Sequence, residues 1–274
     1  MNIIKNSRTS WAEVWENQMD QWLRMRRERG ADPDSAAFWN GLHIWETYMR
    51  YTNYPGLLLQ EVLDGATESQ TVLDIGAGTG SFTLPLARQV RWVTAVEPSS
   101  AQCNRLMQAA AAEEISNIAV IQKGWRSVSL EETGCHDMVV ASYCLFMRDI
   151  VAAVHKMDQA ARRKVFLVHL AGQDLQDAIR KLRGKKAQPP DHRLLLEVLK
   201  EMGLDPTTKV FSRSFSLPLH LQLEMFRSAQ GFKDPEVREL EKALETSGRI
   251  VERNGEPWVS RTYQDALIAI EKES

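Results

Sequence analysis

The sequence predicts an α/β fold: a mostly parallel sheet covered by helices on both faces, with an all-helical segment in front of it. Three observations carry this. Five short, nearly continuous apolar runs begin at Thr71: TVLDIG (71–76), WVTAVE (92–97), IAVIQ (118–122), DMVVASY (137–143) and KVFLVHL (164–170). They alternate with the helix-like segments SFTLPLARQV, SSAQCNRLMQAAAAEE and DIVAAVHKMDQAARR, the pattern of a parallel sheet buried on both faces. Residues 10–63 instead show helical periodicity and no strand signal.

The elements follow in order. Trp11, Trp15, Met19 and Trp22 recur at helical spacing and share one face of a first helix. Gly30 and Pro33 interrupt, and Phe38, Leu42, Trp45, Tyr48 and Met49 mark a second helical run. Pro55 and Gly56 punctuate before LLLQEVL. Pro85 falls in the first turn of the helix after the first strand, where its missing N–H is not needed. Beyond the fifth strand, LQDAIRKLRGKK reads as a helix ending in a basic loop. DHRLLLEVLKEMG is a helix capped by Asp191 and stopped at Gly203. KVFSRSFSLPL (209–219) alternates as a half-exposed strand, two helices follow, and TYQDALIAIEKE is a final strand.

Composition narrows the functional classes. A chain of 274 residues, 43% hydrophobic and 26% charged, can bury a core without disulfides or metal. Its net charge of -2 gives no global drive towards nucleic acid or an anionic membrane. Cys103, Cys135 and Cys144 have neither metal-ligand nor redox spacing and read as reduced thiols. The start lacks a signal-peptide pattern and no run is long enough to span a bilayer, so the expectation is a soluble, cytoplasmic protein.

The most informative string is VLDIGAGTGSF, Val72 to Phe82. A buried strand ends at Asp74, a loop carries Gly76, Gly78 and Gly80, and a helix begins near Ser81. Glycines at such a turn let a ligand approach the backbone, and the helix behind presents unpaired N–H groups. A phosphate-binding P-loop is excluded, because Ser81 and Phe82 follow Gly80 where Lys and Ser/Thr are needed. A dinucleotide fingerprint spaces its glycines G-x-G-x-x-G, whereas here the spacing is G-x-G-x-G with an aspartate two residues ahead.

The whole string resembles motif I of the class I S-adenosylmethionine-dependent methyltransferases. That resemblance implies a seven-stranded doubly wound sheet whose last strand is antiparallel, lying between the fifth and sixth. It makes residues 1–65 an N-terminal helical cap and 66–274 the cofactor-binding domain, with a helical insertion at about 220–256. Glu97 ends the second strand as the family's ribose-binding acid does, although dehydrogenases also place an acid there. The implied cofactor contacts are Asp74, Gly76, Ala77, Gly78, Gly80, Glu97, Pro98, Gly124, Trp125 and Ser142. The sequence departs from the family at Gly124-Trp125-Arg126, where an acid reading the adenine is missing; Trp125 would flank the ring instead.

Ligands of such sheets bind outside the C-terminal ends of the strands. His169, in FLVHLAG, is therefore the candidate general base, weighed against an ordinary core histidine. Tyr143 is the second catalytic candidate. Trp39, Trp45, Tyr48, Tyr51, Tyr54 and Phe146 are expected to wall the acceptor pocket. Trp11, Trp15 and Trp22 read rather as packing on the sheet domain or on a second subunit in a homodimer. The Asn/Asp-Pro-Pro-Tyr signature of planar-nitrogen methylation is absent after the fourth strand, which reads ASYCLF, and no metal-ligand cluster stands out. The expected partner is a small-molecule methyl acceptor. An RNA methyltransferase using the basic stretches 24–29 and 180–186, or a non-catalytic cofactor binder, are the alternatives.

Overall fold

The computed structural model describes residues 9–184 and 188–272. Four helices come first: α1 (Trp11–Glu28), α2 (Ala36–Gly41), α3 (Ile44–Met49) and α4 (Leu57–Asp64). The alternating part follows as β1 (Thr71–Ile75), α5 (Thr83–Ala87), β2 (Trp92–Val96), α6 (Ser100–Ala112), β3 (Ile118–Ile121), α7 (Leu130–Thr133), β4 (His136–Ser142), α8 (Ile150–Ala160) and β5 (Ala161–Gln173). The last third holds α9 (Gln176–Arg183), α10 (His192–Glu201), β6 (Pro206–Pro218), α11 (Leu219–Glu224), α12 (Asp234–Thr246), β7 (Ile250–Arg253) and β8 (Glu256–Glu271).

The strands form one sheet in the order β3-β2-β1-β4-β5-β8-β6, with β7 paired to β8. The first five strands are parallel, and β8 runs antiparallel to both β5 and β6. The chain winds outward from β1 in one direction and then returns to place β4 on its other side. That reversal leaves a crevice beyond the C-terminal ends of β1 and β4, where such sheets bind ligands. The register sets Ile75 beside Val96 and Ala141, so the β1, β2 and β4 ends open together.

The expected seven-strand order is present, with an eighth strand in place of the end of the helical insertion. The insertion is helical only to Thr246. Ile250–Arg253 then pairs back on β8 through Asn254 and Gly255, both at positive φ. An Asn-Gly pair between extended segments is the strongest short hairpin signal a sequence offers. Between α11 and α12, Met225–Ala229 forms a turn of π-helix.

Helix α1 starts at a capping box in which the Ser10 side chain accepts from the Glu13 N–H and Glu13 reaches back to the Ser10 N–H. It runs to Glu28, through most of the first basic stretch. Trp15, Met19, Trp22 and Leu23 bury its apolar face in the same core as Leu73, Val139, Val165 and Leu167 of the sheet. Trp15 is 0% exposed, and its indole N–H donates to the Met147 carbonyl at 2.8 Å. Its face is spent within the chain and is not free for a second subunit. Among the described residues no helix is long and apolar enough to cross a membrane.

Emptying the Trp15 site leaves a large cavity and an unpartnered Met147 carbonyl. Trp15→Ala is expected to lower stability by about 3–5 kcal/mol, read from the midpoint shift of denaturant unfolding.

Candidate active site

The site is built from the turn that follows β1. Gly76 adopts φ +68°, and a Cβ there would overlap the Cys144 side chain in the turn after β4. Only a glycine lets the two turns pass so closely. The Gly76 and Ala77 N–H groups donate to the Val96 carbonyl at 2.8 and 3.2 Å, locking the turn to the end of β2. Gly80 does not face the cavity. A Cβ on it would collide with Leu106 and Leu84, so its part is to seat the turn against α6.

Two buried carboxylates stand at this turn. Glu97 accepts from the Gly78 N–H at 3.0 Å and the Ser99 N–H at 2.8 Å. Burial pushes its pKa up, and those two hydrogen bonds pull against the shift. Asp74 accepts from the Thr83 hydroxyl at 2.6 Å. Burial, opposed by Thr83 and reinforced by the Glu97 charge, raises Asp74 to about 6. Beside Gly78, the Gln102 Oε1 is buried without a hydrogen-bond donor. Two carboxylates and an orphaned carbonyl oxygen form an acceptor-rich, anionic cradle. S-adenosylmethionine, a cation carrying hydroxyl and amino donors, fits it.

A cavity of about 550 Å³ opens from this cradle, within the usual range for small-molecule sites. Asp74, Gly76, Ala77, Gly78, Glu97, Pro98, Gly124, Trp125 and Ser142 line it. Trp125 contributes less than expected. It is buried in the core, its indole N–H donates to the Ala153 carbonyl at 3.1 Å, and the Lys156 ammonium sits 4.3 Å from its ring centre.

The cap closes the opposite wall. Trp39, Trp45, Tyr48, Tyr54 and Phe146 line the cavity. Trp39 meets Trp45 edge-on at 5.3 Å, and Tyr54 meets Tyr143 at 5.5 Å. Tyr51 lies outside and packs on Trp258. Trp22 does double duty: it belongs to the α1 core and also lines the cavity, stacked on Phe146 at 5.4 Å. Two latches hold the cap down. Asp34 takes both its oxygens to Arg126 at 2.8 Å, and the Asn40 carbonyl oxygen accepts from the Ser99 hydroxyl at 2.8 Å and the Ala101 N–H at 3.1 Å.

The two catalytic candidates part ways. His169 is not among the cavity-lining residues. Strand β5 continues to Gln173, so His169 sits mid-strand on the face covered by α1, with its ring 6.3 Å from Trp15 and Nδ1 3.1 Å from the Leu170 carbonyl. Burial lowers its pKa, so it stays neutral. Tyr143 does face the cavity, at φ +53°. Its hydroxyl donates to Asp265, whose other oxygen accepts from Arg213 Nε at 2.8 Å. Burial, then the Asp265 charge, pushes the Tyr143 phenol well above its ordinary value, so it remains protonated. Beside it, Tyr54 and Ser142 share a hydroxyl–hydroxyl bond.

Several lining residues escape the sequence reading: Arg26, Gln102, Arg213, Met225, Gln230 and Tyr263. Arg26 has a readable signal. The stripe Trp15, Met19, Trp22 continues at the next helical step onto position 26. The others come from distant elements that only the fold brings together. Among the described residues no cluster of three or more His, Cys, Asp or Glu side chains is arranged to hold a metal ion.

Asp74 carries a pH signature. Its folded-state pKa is raised from 3.8 to about 6, so its contribution to stability is full below pH 4 and is lost as pH rises towards 6. Asp74→Asn should therefore stabilise the ligand-free protein at pH 7 by up to about 3 kcal/mol. The gain should vanish near pH 4, as measured by urea unfolding across pH.

Residues 72–164 match the family model described as a methyltransferase domain. An uncharacterized protein of Haemophilus influenzae is 28% identical over 108 residues, covering 39% of this chain and 40% of that protein. The 23S rRNA (uracil(1939)-C(5))-methyltransferase RlmD of Pseudomonas fluorescens is 32% identical over 120 residues, covering 39% of this chain and 26% of its own. The chain thus spans less than half the length of these curated relatives. Among solved structures, the YcgJ protein of Bacillus subtilis superposes with a TM-score of 0.57 at 17% identity, covering 80% of this chain and 99% of that one. BH2331 of Bacillus halodurans C-125 gives 0.57 at 14% identity, covering 79% and 97%. At those identities the likeness speaks for the fold. Residues 72–164 thus match a methyltransferase domain, and the glycine turn, the paired carboxylates and the strand order are those that the resemblance to the class I, S-adenosylmethionine-dependent type implies.

Proposed function

We propose that this chain transfers a methyl group from S-adenosylmethionine to a small-molecule acceptor held beneath its aromatic cap. The observation that carries this reading is the continuity of one cavity from the glycine turn to the aromatic wall. Asp74, Glu97, Gln102 and the Gly76–Gly78 turn would hold S-adenosylmethionine, which when bound supplies a methyl group on an already activated sulfonium. The chain's own task is then alignment and exclusion of water, effects worth up to about 7–11 kcal/mol in favourable cases. Trp22, Phe146, Trp39 and Trp45 provide flat walls that orient a planar acceptor.

Tyr143 is the group we assign to an acceptor that must lose a proton. Its oxygen accepts that proton as its own passes along the existing hydrogen bond to Asp265. Arg213 keeps the Asp265 carboxylate in place for the transfer.

The RNA reading has a relative's name in its favour, but the basic stretches offer it little. Arg26 is buried, Arg27 bonds Asp32, and Arg29 bonds both oxygens of Glu236. Arg180 sits near Asp177, and the Arg183 Nε is buried. Residues 185 and 186 of the second stretch lie outside the described residues.

Calorimetry with S-adenosylmethionine, S-adenosylhomocysteine and NAD should show binding of the first two only; NAD binding in their place would sink the reading. Glu97→Ala should weaken S-adenosylhomocysteine about 10–100-fold, the worth of a charge-assisted hydrogen-bond pair. Tyr143→Phe should lower kcat about 100-fold on a protonated acceptor and leave S-adenosylhomocysteine affinity unchanged. Undiminished turnover in that variant would remove Tyr143 from the chemistry. Cofactor binding with no transfer across a metabolite library would favour a non-catalytic binder.

A further inference from the structure

The cavity wall holds three arginines, Arg26, Arg126 and Arg213. Two are neutralised in place: Arg126 by Asp34 and Arg213 by Asp265. Arg26 is only 5% exposed, and among the described residues no carboxylate forms an ion pair with it. Its Nε donates to the Ala31 carbonyl at 2.8 Å and one terminal nitrogen donates to the Ala229 carbonyl. A guanidinium has five N–H donors, so three are left without an acceptor among the described residues. Asp32, the acid whose charge favours its charged form, is hydrogen-bonded by Arg27 at 3.1 Å.

The surroundings add positive charge. Burial, then the Arg183 guanidinium, disfavours the charged form of Arg26. Arg183 itself forms no ion pair among the described residues, and its Nε is buried without a hydrogen-bond acceptor. Another of its nitrogens donates to the Gln230 side-chain oxygen at 3.4 Å, which leaves the Gln230 amide N–H groups available at the cavity wall. Arginine keeps its charge in proteins, so the result is uncompensated positive potential at a desolvated, ligand-sized cavity. Asp74 and Glu97, the acids at the other wall, are committed to the cofactor cradle.

We propose that the methyl acceptor is a planar molecule bearing a carboxylate, and that Arg26, assisted by Gln230, is its carboxylate-binding site. This rests on the methyltransferase reading above. A bidentate guanidinium–carboxylate pair satisfies the unused donors of Arg26 and supplies the missing negative charge in one contact. The guanidinium carbon lies over the Trp22 ring, 5.1 Å from its centre, so the ring backs the fork at the wall. The pair would anchor one end of the acceptor, and the aromatic cap would cover its body.

The test uses the full chain saturated with S-adenosylhomocysteine and a matched pair of probes, 1-naphthoate and 1-naphthamide, titrated by calorimetry. The wild type should bind the carboxylate at least tenfold more tightly than the amide. Arg26→Gln should abolish that preference and Arg26→Lys should reduce it, with S-adenosylhomocysteine affinity unchanged in both. Should Arg26→Gln fail to fold, the wild-type preference and its reduction in Arg26→Lys still decide the matter. Equal binding of the two probes to the wild type, binding of neither, or an undiminished preference in Arg26→Gln overturns the carboxylate site while cofactor binding stands. Failure of S-adenosylhomocysteine itself to bind overturns the methyltransferase reading and this inference with it.

Discussion

The site depends on how closely the turn after β1 passes the turn after β4. The reversal of strand order at β1 creates the crevice, but Gly76 brings its two lips together, with no room for a side chain against Cys144. From that approach the rest follows. The β1 turn is fixed to the end of β2 through the Val96 carbonyl, which brings the Gly78 N–H onto Glu97. Tyr143, in the opposing turn, is held in a left-handed conformation by its hydroxyl bond to Asp265 and its N–H bond to the Val168 carbonyl. A non-glycine residue in that region is strained, and such strain gathers where function fixes geometry.

The carboxylates have a related logic. Neither Asp74 nor Glu97 has a cationic side chain as its hydrogen-bond partner; backbone N–H groups and one hydroxyl hold them instead. Burying two such groups close together costs stability that a hydrophobic pair would not cost. A cationic ligand relieves that cost. On the cap side the sign is reversed, with Arg26 forming no ion pair among the described residues. The cavity is thus charged oppositely at its two walls.

Most of the sheet was legible because a strand buried on both faces must be apolar throughout, as TVLDI and DMVVAS are. The glycine-turn side of the cavity was legible because its residues sit in one strand–turn–helix unit and at one strand end. The opposite side was less so, since Arg213, Tyr263 and Gln230 reach the cavity only through antiparallel pairing and the end of the π-helical turn. His169 misled for a definable reason. FLVHLAG looks like a strand end, but β5 extends past it to pair with β8, and the alternation of Val165, Leu167 and His169 turns the ring towards α1. The basic stretch 24–29 misled in the other direction, because a run of charges hides the one position that continues the buried stripe.

The N-terminal segment is fastened unevenly. Helix α1 is set into the main core through Trp15, Met19 and Leu23, an attachment that fails only when the molecule unfolds. Helix α2 buries no residue completely; it is held through its own Asn40, and the loop before it by an Asp34–Arg126 pair whose arginine is half exposed. An exposed pair of that kind contributes about 0–1 kcal/mol. The segment from Asp34 to Gly41 is therefore held chiefly by polar contacts at its edges, none of which involves the β1 turn. The cavity thus has one wall that is part of the core and one that is fastened to it by polar contacts.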